Sequence, residues 1–163
     1  IVTSAERART LRKPPVYLWG MGQGHPGGEP AETLVSGAPL ASKVAFDMAR
    51  IRAADVDVCE LYDCYTFTVL VTLEDYGFCA KGDAGPFVAA GHTAPGGSLP
   101  VNTGGGQLSS SYMWGMTPIA EGVLQARGEG GERQVPKHDV VLVSGNGGLL
   151  STHTTLVLSP LPS

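Results

Sequence analysis

Alternating and periodic apolar positions divide the chain into predicted strands and helices. The stretch VYLWGMGQ, Val16 to Gln23, has the composition of a strand and ends in glycines, and the GHPGGEP that follows predicts a loop. From Pro39 to Ala53, apolar residues recur every three or four positions, which predicts a helix. The predicted buried stripe of this helix consists of Leu40, Val44, Met48 and Ile51.

The middle of the chain continues this order. DVDVCELYD, Asp55 to Asp63, alternates polar and apolar residues and predicts a strand that ends at Tyr62. A helix over about Thr66 to Tyr76 is predicted to follow. Its predicted core-facing residues are Phe67, Leu70, Val71 and Leu73. The segment Gly77 to Gly106 is rich in glycine and proline and predicts a long ordered loop.

The last third of the chain predicts one helix and two neighbouring strands. The helix begins after Tyr112 and ends near Arg127, with Pro118 in its first turn, where the missing N–H is tolerated. HDVVLVSGNGG and THTTLVLS are β-rich runs joined by glycines, so we expect them to pair. The whole order, with helices between strands, predicts an α/β domain with a mixed sheet.

Composition and charge narrow the functional classes. A chain of 163 residues is long enough for one domain with a single core. Hydrophobic residues make up 42% and charged residues only 16%. This composition indicates that part of the protein surface is covered by another surface at an interface. A net charge of -4 without a basic run excludes the basic surface that is usual in nucleic-acid-binding proteins. The same charge does not favour binding to an anionic membrane.

The cysteines and histidines do not predict a metal site or a disulfide framework. Cys59, Cys64 and Cys79 form no CxxC pair and are odd in number, as is typical of a reducing cytoplasm. His25 and His92 lie on predicted loops without a partner at metal-ligand spacing, so we expect no metal in this chain. The opening IVTS has neither an initiator methionine nor a signal-peptide pattern, and we expect a cytoplasmic protein of which this chain is part.

Three junctions, two of them rich in glycine, carry the candidate chemistry. They are ELYDCYTF, GGGQLSSSYMWGM and VSGNGGLLSTH, and each lies at a predicted strand end. Because ligands of layered α/β proteins bind where loops leave the strand ends, we expect the three to converge on one pocket. Neither GxxxxGK[ST] nor a strand–GxGxxG–helix unit occurs, so these motifs do not predict nucleotide binding.

The succession of VxELYDCYT, LPVNTGGGQLSSSYMWGM and VSGNGG resembles the C-terminal half of the thiolase superfamily, closest to its sterol-carrier-protein or lipid-transfer-protein branch. The resemblance covers nearly the whole chain. It implies that residues 1–163 form a thiolase-like C-terminal domain, a mixed sheet with helices on both faces, which is half of a five-layer αβαβα arrangement. It also implies a homodimer.

Two tyrosines depart from the family motifs. Tyr62 stands where the family has His or Asn, and Tyr112 stands where it has the histidine of GHP, flanked by Ser111 and Met113 instead of glycine and proline. A phenol ionises near ~10 and an imidazole near ~6.5, so tyrosine is a poor substitute for a thiolase histidine. The pattern resembles the thiolase-fold aldolases of bacterial steroid side-chain breakdown, which split a β-hydroxyacyl-CoA into a ketone and a short acyl-CoA.

This resemblance implies roles for individual residues. Tyr112 is the expected base and Tyr62 the expected proton donor, while the backbone N–H groups of Gly147 and Gly148 are the expected oxyanion hole. Coenzyme A enters as part of the substrate, and no other cofactor is expected. The expected substrate-binding residues are Asp63, Gly105, Gly106, Ser111, Met113 and His153. For His153, a hydrogen-bonded structural role is the more frequent alternative.

The sequence leaves two alternative functions open, and the resemblance implies one partner protein. An acyltransferase would use a cysteine outside this chain, and a non-catalytic subunit would have its pocket filled by side chains such as Trp114 and Met116. The resemblance also implies a small OB-fold, zinc-ribbon partner near the pocket mouth, whose zinc belongs to the partner. We expect the partner to cover apolar residues exposed on the loop from Gly77 to Gly106. These residues are Phe78, Phe87, Val88 and Leu99.

Overall fold

A computed structural model describes residues 1–26, 34–148 and 150–162. Part of the predicted GHPGGEP loop, residues 27–30, therefore lies outside the described residues. The described strands form one four-stranded sheet in the order β1-β4-β3-β2. They are β1 Tyr17–Gly24, β2 Val58–Glu60, β3 Val141–Gly147 and β4 Thr152–Ser159. Strand β4 is antiparallel to β1 and β3, and β2 is parallel to β3, which confirms the predicted mixed sheet and the pairing of the last two strands.

The described helices lie between and around these strands. They are α1 Ala5–Ala8, α2 Ala38–Ala49, α3 Thr66–Asp75, α4 Ala84–Ala89, α5 Gly106–Ser109 and α6 Met116–Ala126. The predicted helices correspond to α2, α3 and α6, and Pro118 lies in the first turn of α6 as expected. The short helices α1, α4 and α5 have no counterpart in the sequence-based prediction.

Side-chain alternation along the strands builds a core on each face of the sheet. Leu142 of β3 belongs to one core, which also contains Leu73 of α3. Its neighbours Val141 and Val143 belong to the other core, together with Ala126 of α6. Successive strand residues point to opposite faces, so one strand serves both cores. Helices therefore cover both faces, as the sequence predicts.

The buried stripe of α2 differs from the prediction. Ala38, Ala41 and Ala45 are fully buried, whereas three of the four larger residues predicted to be buried point outward and Ile51 packs against the core as predicted. Leu40 is 51% exposed, Val44 50% and Met48 57%. The reason lies in β1, where glycines at positions 20, 22 and 24 face α2 so closely that a Cβ atom at Gly22 would overlap the carbonyl of Ala41. Only small residues fit between two backbones at this separation.

The long segment before the third predicted helix also packs differently from the prediction. It contains α4, and Phe78 and Phe87 pack against the core on the α2 side. Leu99 is buried there, and among the four apolar residues predicted to be exposed only Val88 is, at 38%. Turns built on Gly77, Gly82, Gly91 and Gly96, all with positive φ, fold the segment onto the core.

The glycine-rich motif is held beside the end of β2. The Cys59 N–H donates to the carbonyl of Pro100 (3.0 Å), and the Asn102 N–H donates to the carbonyl of Cys59 (2.9 Å). Strand β2 ends at Glu60, earlier than predicted, because the next backbone amides bind side chains. The Leu61 N–H donates to Oδ1 of Asn102 (2.7 Å), and the Tyr62 N–H donates to Oγ of Ser144 (3.2 Å). Tyr62 therefore lies beside the start of the glycine-rich motif.

Candidate active site

The three predicted junctions meet at one end of the sheet, as the sequence predicts. A pocket of about 300 Å³ opens there, on the face covered by α6. It lies at the ends of β2 and β3, the start of β4 and the approach to α6. The residues that line it are Tyr62, Trp114, Gly115, Gly145, Asn146, Gly147, Thr152 and Thr154. Trp114 forms part of the wall, and the pocket is not filled by side chains.

A second pocket of about 290 Å³ adjoins the first. The two share Asn146 and Gly147 in their linings, so both lie against the end of β3. The second pocket is lined mainly by apolar and aromatic side chains and by backbone. Its remaining residues are Leu34, Cys64, Tyr65, Phe67, Thr68, Gly148 and Leu150.

Tyr62 and Tyr112 come together at this site. Tyr62 is half-buried and lines the first pocket, whereas Tyr112 is 60% exposed and does not contribute to its lining. Burial raises the pKa of Tyr62 to about 12, and the adjacent phenol of Tyr112 contributes to the rise. Tyr62 therefore keeps its proton at neutral pH.

Asp63 connects β2 to the glycine-rich motif. Its carboxylate is buried and accepts hydrogen bonds from the backbone N–H of Gln107 (2.8 Å) and Leu108 (3.3 Å). A Cβ atom at Gly106 would overlap this carboxylate, and both Gly105 and Gly106 have positive φ. Asp63 and the two glycines thus shape the turn, and the carboxylate is occupied by backbone donors.

Thr117 holds the segment that carries Tyr112. Its hydroxyl donates to the carbonyl of Ser111 (2.8 Å) and accepts from the N–H of Met113 (3.0 Å). The side chains of Ser111 and Met113 are exposed, so both residues are held through their backbone. Thr117 was not among the sequence-predicted site residues, because its role depends on the chain turning back onto the start of α6.

Gly147 and Gly148 lie where the two pockets meet. Gly147 is the last residue of β3 and contributes to both pockets. Gly148 follows with a φ of 52° in a turn closed by the N–H of Ser151, which donates to the Gly148 carbonyl (2.9 Å). Both glycines are exposed, so their backbone can be approached by a ligand.

His153 does not reach either pocket, which corrects the expected substrate-binding role. Alternation along β4 directs Thr152 and Thr154 to the first pocket and His153 to the opposite face. There its Nε2 lies 2.9 Å from the hydroxyl of Tyr76, and the ring is fully buried. Burial lowers the pKa of His153 to about 4, so the ring is neutral at physiological pH. His153 is a structural residue of the core.

A buried carboxyl network lies directly behind the site and was missed in the sequence analysis. The Thr103 hydroxyl lies 2.7 Å from Oε1 of Glu60 and 2.9 Å from Oε1 of Glu121, and it accepts a hydrogen bond from Nε2 of Gln125 (2.9 Å). Glu121 in turn receives two hydrogen bonds from Arg133 (2.8 and 2.9 Å). The network joins β2, the motif and α6.

The hydrogen count and the burial of this network favour a proton on Glu60. A single hydroxyl hydrogen on Thr103 cannot serve two carboxylates. Burial opposes ionisation of Glu121, but hydrogen bonds from Arg133, Gln125 and Thr103 outweigh it and hold its pKa below the usual value. Burial raises the pKa of Glu60 to about 8, although hydrogen bonds from Thr103 oppose the rise. Glu60 is thus the neutral member of the pair, and the Thr103 hydroxyl bridges it to Glu121. The signal for this buried acid in the sequence was the position of Glu60 between apolar residues of the predicted strand, VCEL.

Two amide side chains at the site were also missed. Both polar side-chain atoms of Gln107 and the Oδ1 of Asn146 are buried without a hydrogen-bond partner. Buried polar atoms are paired in most proteins, so unpaired ones near a pocket indicate a functional constraint. An asparagine and a glutamine among glycines do not reveal their burial in the sequence.

Neither a cluster of metal-ligating side chains nor a membrane-spanning helix occurs within residues 1–26, 34–148 and 150–162. No group of three or more His, Cys, Asp or Glu side chains there is arranged to hold a metal ion. None of the helices in that part of the chain has the length and apolar character to cross a membrane.

Residues 25–160 match the family model described as thiolase C-terminal domain-like. The chain belongs to this family, which confirms the thiolase resemblance and the predicted fold class. Over 90% of its length it is 37% identical to a "Steroid side-chain-cleaving aldolase" of Thermomonospora curvata. It is also 39% identical, again over 90% of its length, to a "17-hydroxy-3-oxo-4-pregnene-20-carboxyl-CoA lyase" of Mycobacterium tuberculosis. The chain spans 40% of the length of both relatives.

A solved structure described as "Ltp2-ChsH2(DUF35) aldolase" has the same fold. The TM-score is 0.85 at 34% identity, covering 95% of this chain and 42% of the other. The match extends beyond single motifs to nearly every element described above.

Replacing Glu60 by glutamine tests the buried acid. The folded pKa of Glu60 lies near 8, above the ordinary 4.5, so its contribution to stability is complete below about 4.5 and is lost as pH rises through about 8. Glutamine mimics the neutral acid at every pH. Between about pH 5 and about pH 9, the free energy of unfolding of Glu60→Gln should therefore gain on that of the wild type by more than roughly 1 kcal/mol, since one pKa unit corresponds to about 1.4 kcal/mol.

Chemical denaturation at several pH values measures this difference. The matched control is Glu132→Gln, which makes the same change at an exposed glutamate. Its difference from the wild type should stay constant with pH. A constant difference for Glu60→Gln as well would show that Glu60 is ionised in the folded protein.

Proposed function

We propose that this chain supplies the tyrosine-bearing half of an active site that cleaves a carbon–carbon bond in a β-hydroxyacyl-CoA thioester by a retro-aldol reaction. The pair of phenols at the pocket, Tyr62 beside Tyr112, carries the proposal. The names of the two curated relatives support it, since one is an aldolase that cleaves steroid side chains and the other a lyase of a steroid carboxyl-CoA. The proposed substrate class is accordingly a steroid side-chain CoA thioester.

The reaction needs a base, an acid and a group that stabilises the enolate. The base takes the proton from the β-hydroxyl, the Cα–Cβ bond breaks to release a ketone, and its electron pair forms the thioester enolate. Protonation of the enolate at Cα then gives the short acyl-CoA. Tyr62, which lines the first pocket and is protonated at neutral pH, is the proposed acid, and Tyr112 is the proposed base.

Backbone donors are the proposed support for the enolate oxygen. Gly147 lines both pockets and Gly148 lines the second, and their N–H groups are the proposed oxyanion hole. The mainly apolar second pocket suits the hydrocarbon part of the substrate. Asp63, Gly105, Gly106, Ser111 and Met113 are proposed to act on the substrate indirectly, by holding the segment that carries Tyr112.

The intact protein is proposed to work in a heteromeric complex. The matching solved structure of the aldolase bears the names of two components, Ltp2 and ChsH2, which supports this proposal. The segment next to the pocket also exposes large apolar side chains, with Met113 at 55%, Trp114 at 70% and Met116 at 57%. Isolated proteins rarely expose such clusters to water. An OB-fold, zinc-ribbon protein remains the proposed partner, alongside homodimerisation and a cytoplasmic location.

Removing either hydroxyl group should abolish most activity without unfolding the protein. Tyr62→Phe and Tyr112→Phe are each expected to lower kcat for ketone release from a β-hydroxyacyl-CoA by about 10²–10⁴-fold, the usual contribution of an acid or base. The control is Tyr17→Phe at the far edge of the sheet, which should keep full activity.

The assay is run on the intact protein, with ketone and short acyl-CoA both quantified. If both site variants turn over at the wild-type rate, the phenols are not the acid and base. If the wild type releases no ketone but transfers an acyl group to coenzyme A, the acyltransferase alternative is correct.

Complex formation is tested by purifying the intact protein alone and together with a candidate OB-fold, zinc-ribbon protein. We expect co-elution at a larger mass and a higher rate of ketone release in the complex. Trp114→Ser, a change confined to an exposed side chain, should weaken co-elution, whereas Leu11→Ser near the N-terminus should not. Full activity of the protein alone, with no co-elution, would contradict the proposed partner.

A further inference from the structure

Gln107 has buried side-chain polar atoms that lack a hydrogen-bond partner. Within the described residues, such side-chain atoms belong to Gln107, Asn146 and His153. His153 lies in the core on the far face of the sheet, and one polar atom of Asn146 is affected. Gln107 is only 8% exposed, and neither its oxygen nor its nitrogen has a partner. Leaving a buried amide unpaired costs about 1–3 kcal/mol, whereas an apolar side chain in the same space would avoid that cost.

The position of Gln107 relative to Tyr62 is fixed by the backbone. Its N–H donates to Oδ1 of Asp63 (2.8 Å), the residue directly after Tyr62. The next residue, Leu108, is 55% exposed, so the chain turns the amide of Gln107 inward and the apolar side chain outward. This is the reverse of the usual distribution, in which the apolar side chain of such a pair is buried.

The phenol of Tyr62 is a suitable partner for the amide. The two side chains are close enough for the amide to favour the ionised phenol, although no hydrogen bond of ordinary length joins them. A phenol has one hydrogen, which Tyr62 can direct to Tyr112 or to the substrate, and its oxygen can accept another hydrogen bond. The amide of Gln107 has two N–H groups to supply that bond.

We propose that Gln107 is a positioning residue for Tyr62, whose phenol oxygen accepts a hydrogen bond from Nε2 of Gln107 when the site is occupied. This bond orients the Tyr62 hydroxyl toward Tyr112 and stabilises the negative charge that develops as its proton leaves. It counteracts burial and the neighbouring phenol, which make that proton hard to remove. The inference rests on the proposed function, in which Tyr62 donates a proton.

The experiment measures the ionisation of residue 62 directly. 3,5-Difluorotyrosine, whose phenol ionises at lower pH than that of tyrosine, is incorporated at position 62 of the intact protein and titrated by ¹⁹F NMR. The measurement is made with and without a non-cleavable CoA thioether analogue of the substrate. Replacing Gln107 by methionine or leucine keeps the volume and removes the donor. Either change should raise the pKa of the label by roughly 0.4 to 1, the equivalent of one hydrogen bond.

The matched control is Gln23→Met, which makes the same change at an exposed glutamine on β1 and should leave the pKa of the label unchanged. In the unlabelled protein, Gln107→Met should lower kcat by roughly 10- to 100-fold with little change in KM. An unchanged pKa of the label in a folded Gln107→Met or Gln107→Leu protein, with and without the analogue, overturns the inference.

The two readouts separate this inference from the proposed function. If Gln107→Met raises the pKa of the label but the wild type releases no ketone, the Gln107–Tyr62 hydrogen bond exists and the proposed reaction is wrong. If ketone is released and the pKa does not change, the reaction stands and Gln107 has no positioning role.

Discussion

The hydrogen bonds between the Asp63 carboxylate and the backbone of the glycine-rich motif are the constraint on which the site depends. Tyr62 and Tyr112 are fifty residues apart in sequence, on segments that share no regular secondary structure. A buried carboxylate that accepts two backbone N–H groups joins these segments directly after Tyr62. Such bonds to a charged acceptor are stronger than neutral ones, and breaking them would leave a buried charge unpaired.

The glycines of the motif follow from this contact. Gly106 leaves no room for a side chain beside Asp63, and Thr117 then holds the segment that continues to Tyr112. The protonated Glu60 reinforces the arrangement from behind through Thr103 and Glu121. The site is thereby assembled by polar contacts to backbone, while the pocket beside it remains open and largely apolar. This combination suits a thioester with a bulky hydrocarbon part, which needs polar groups only at its reacting end.

The positions of most helices and strands were predictable from the sequence. Which face of each one is buried was less predictable. Their β-rich composition identified β3 and β4, since both cores use successive residues of β3 and the strand is therefore apolar on both faces. The buried face of α2 was not predictable from hydrophobicity, since the glycines of β1 bring two backbones into contact and exclude residues such as Leu40. The site tyrosines were found through family motifs. Gln107, Thr117 and Glu60 were missed because their roles depend on contacts between segments distant in sequence.

The most direct test of the account is the position of the substrate relative to the two phenols. The intact protein would be crystallised with a CoA thioether analogue that keeps the β-hydroxyl but cannot form the enolate. The account predicts that the hydroxyl oxygen lies within about 3.2 Å of a phenol oxygen of Tyr62 or Tyr112, as proton transfer requires. A bound analogue whose hydroxyl lies beyond hydrogen-bonding distance of both phenols would contradict the account.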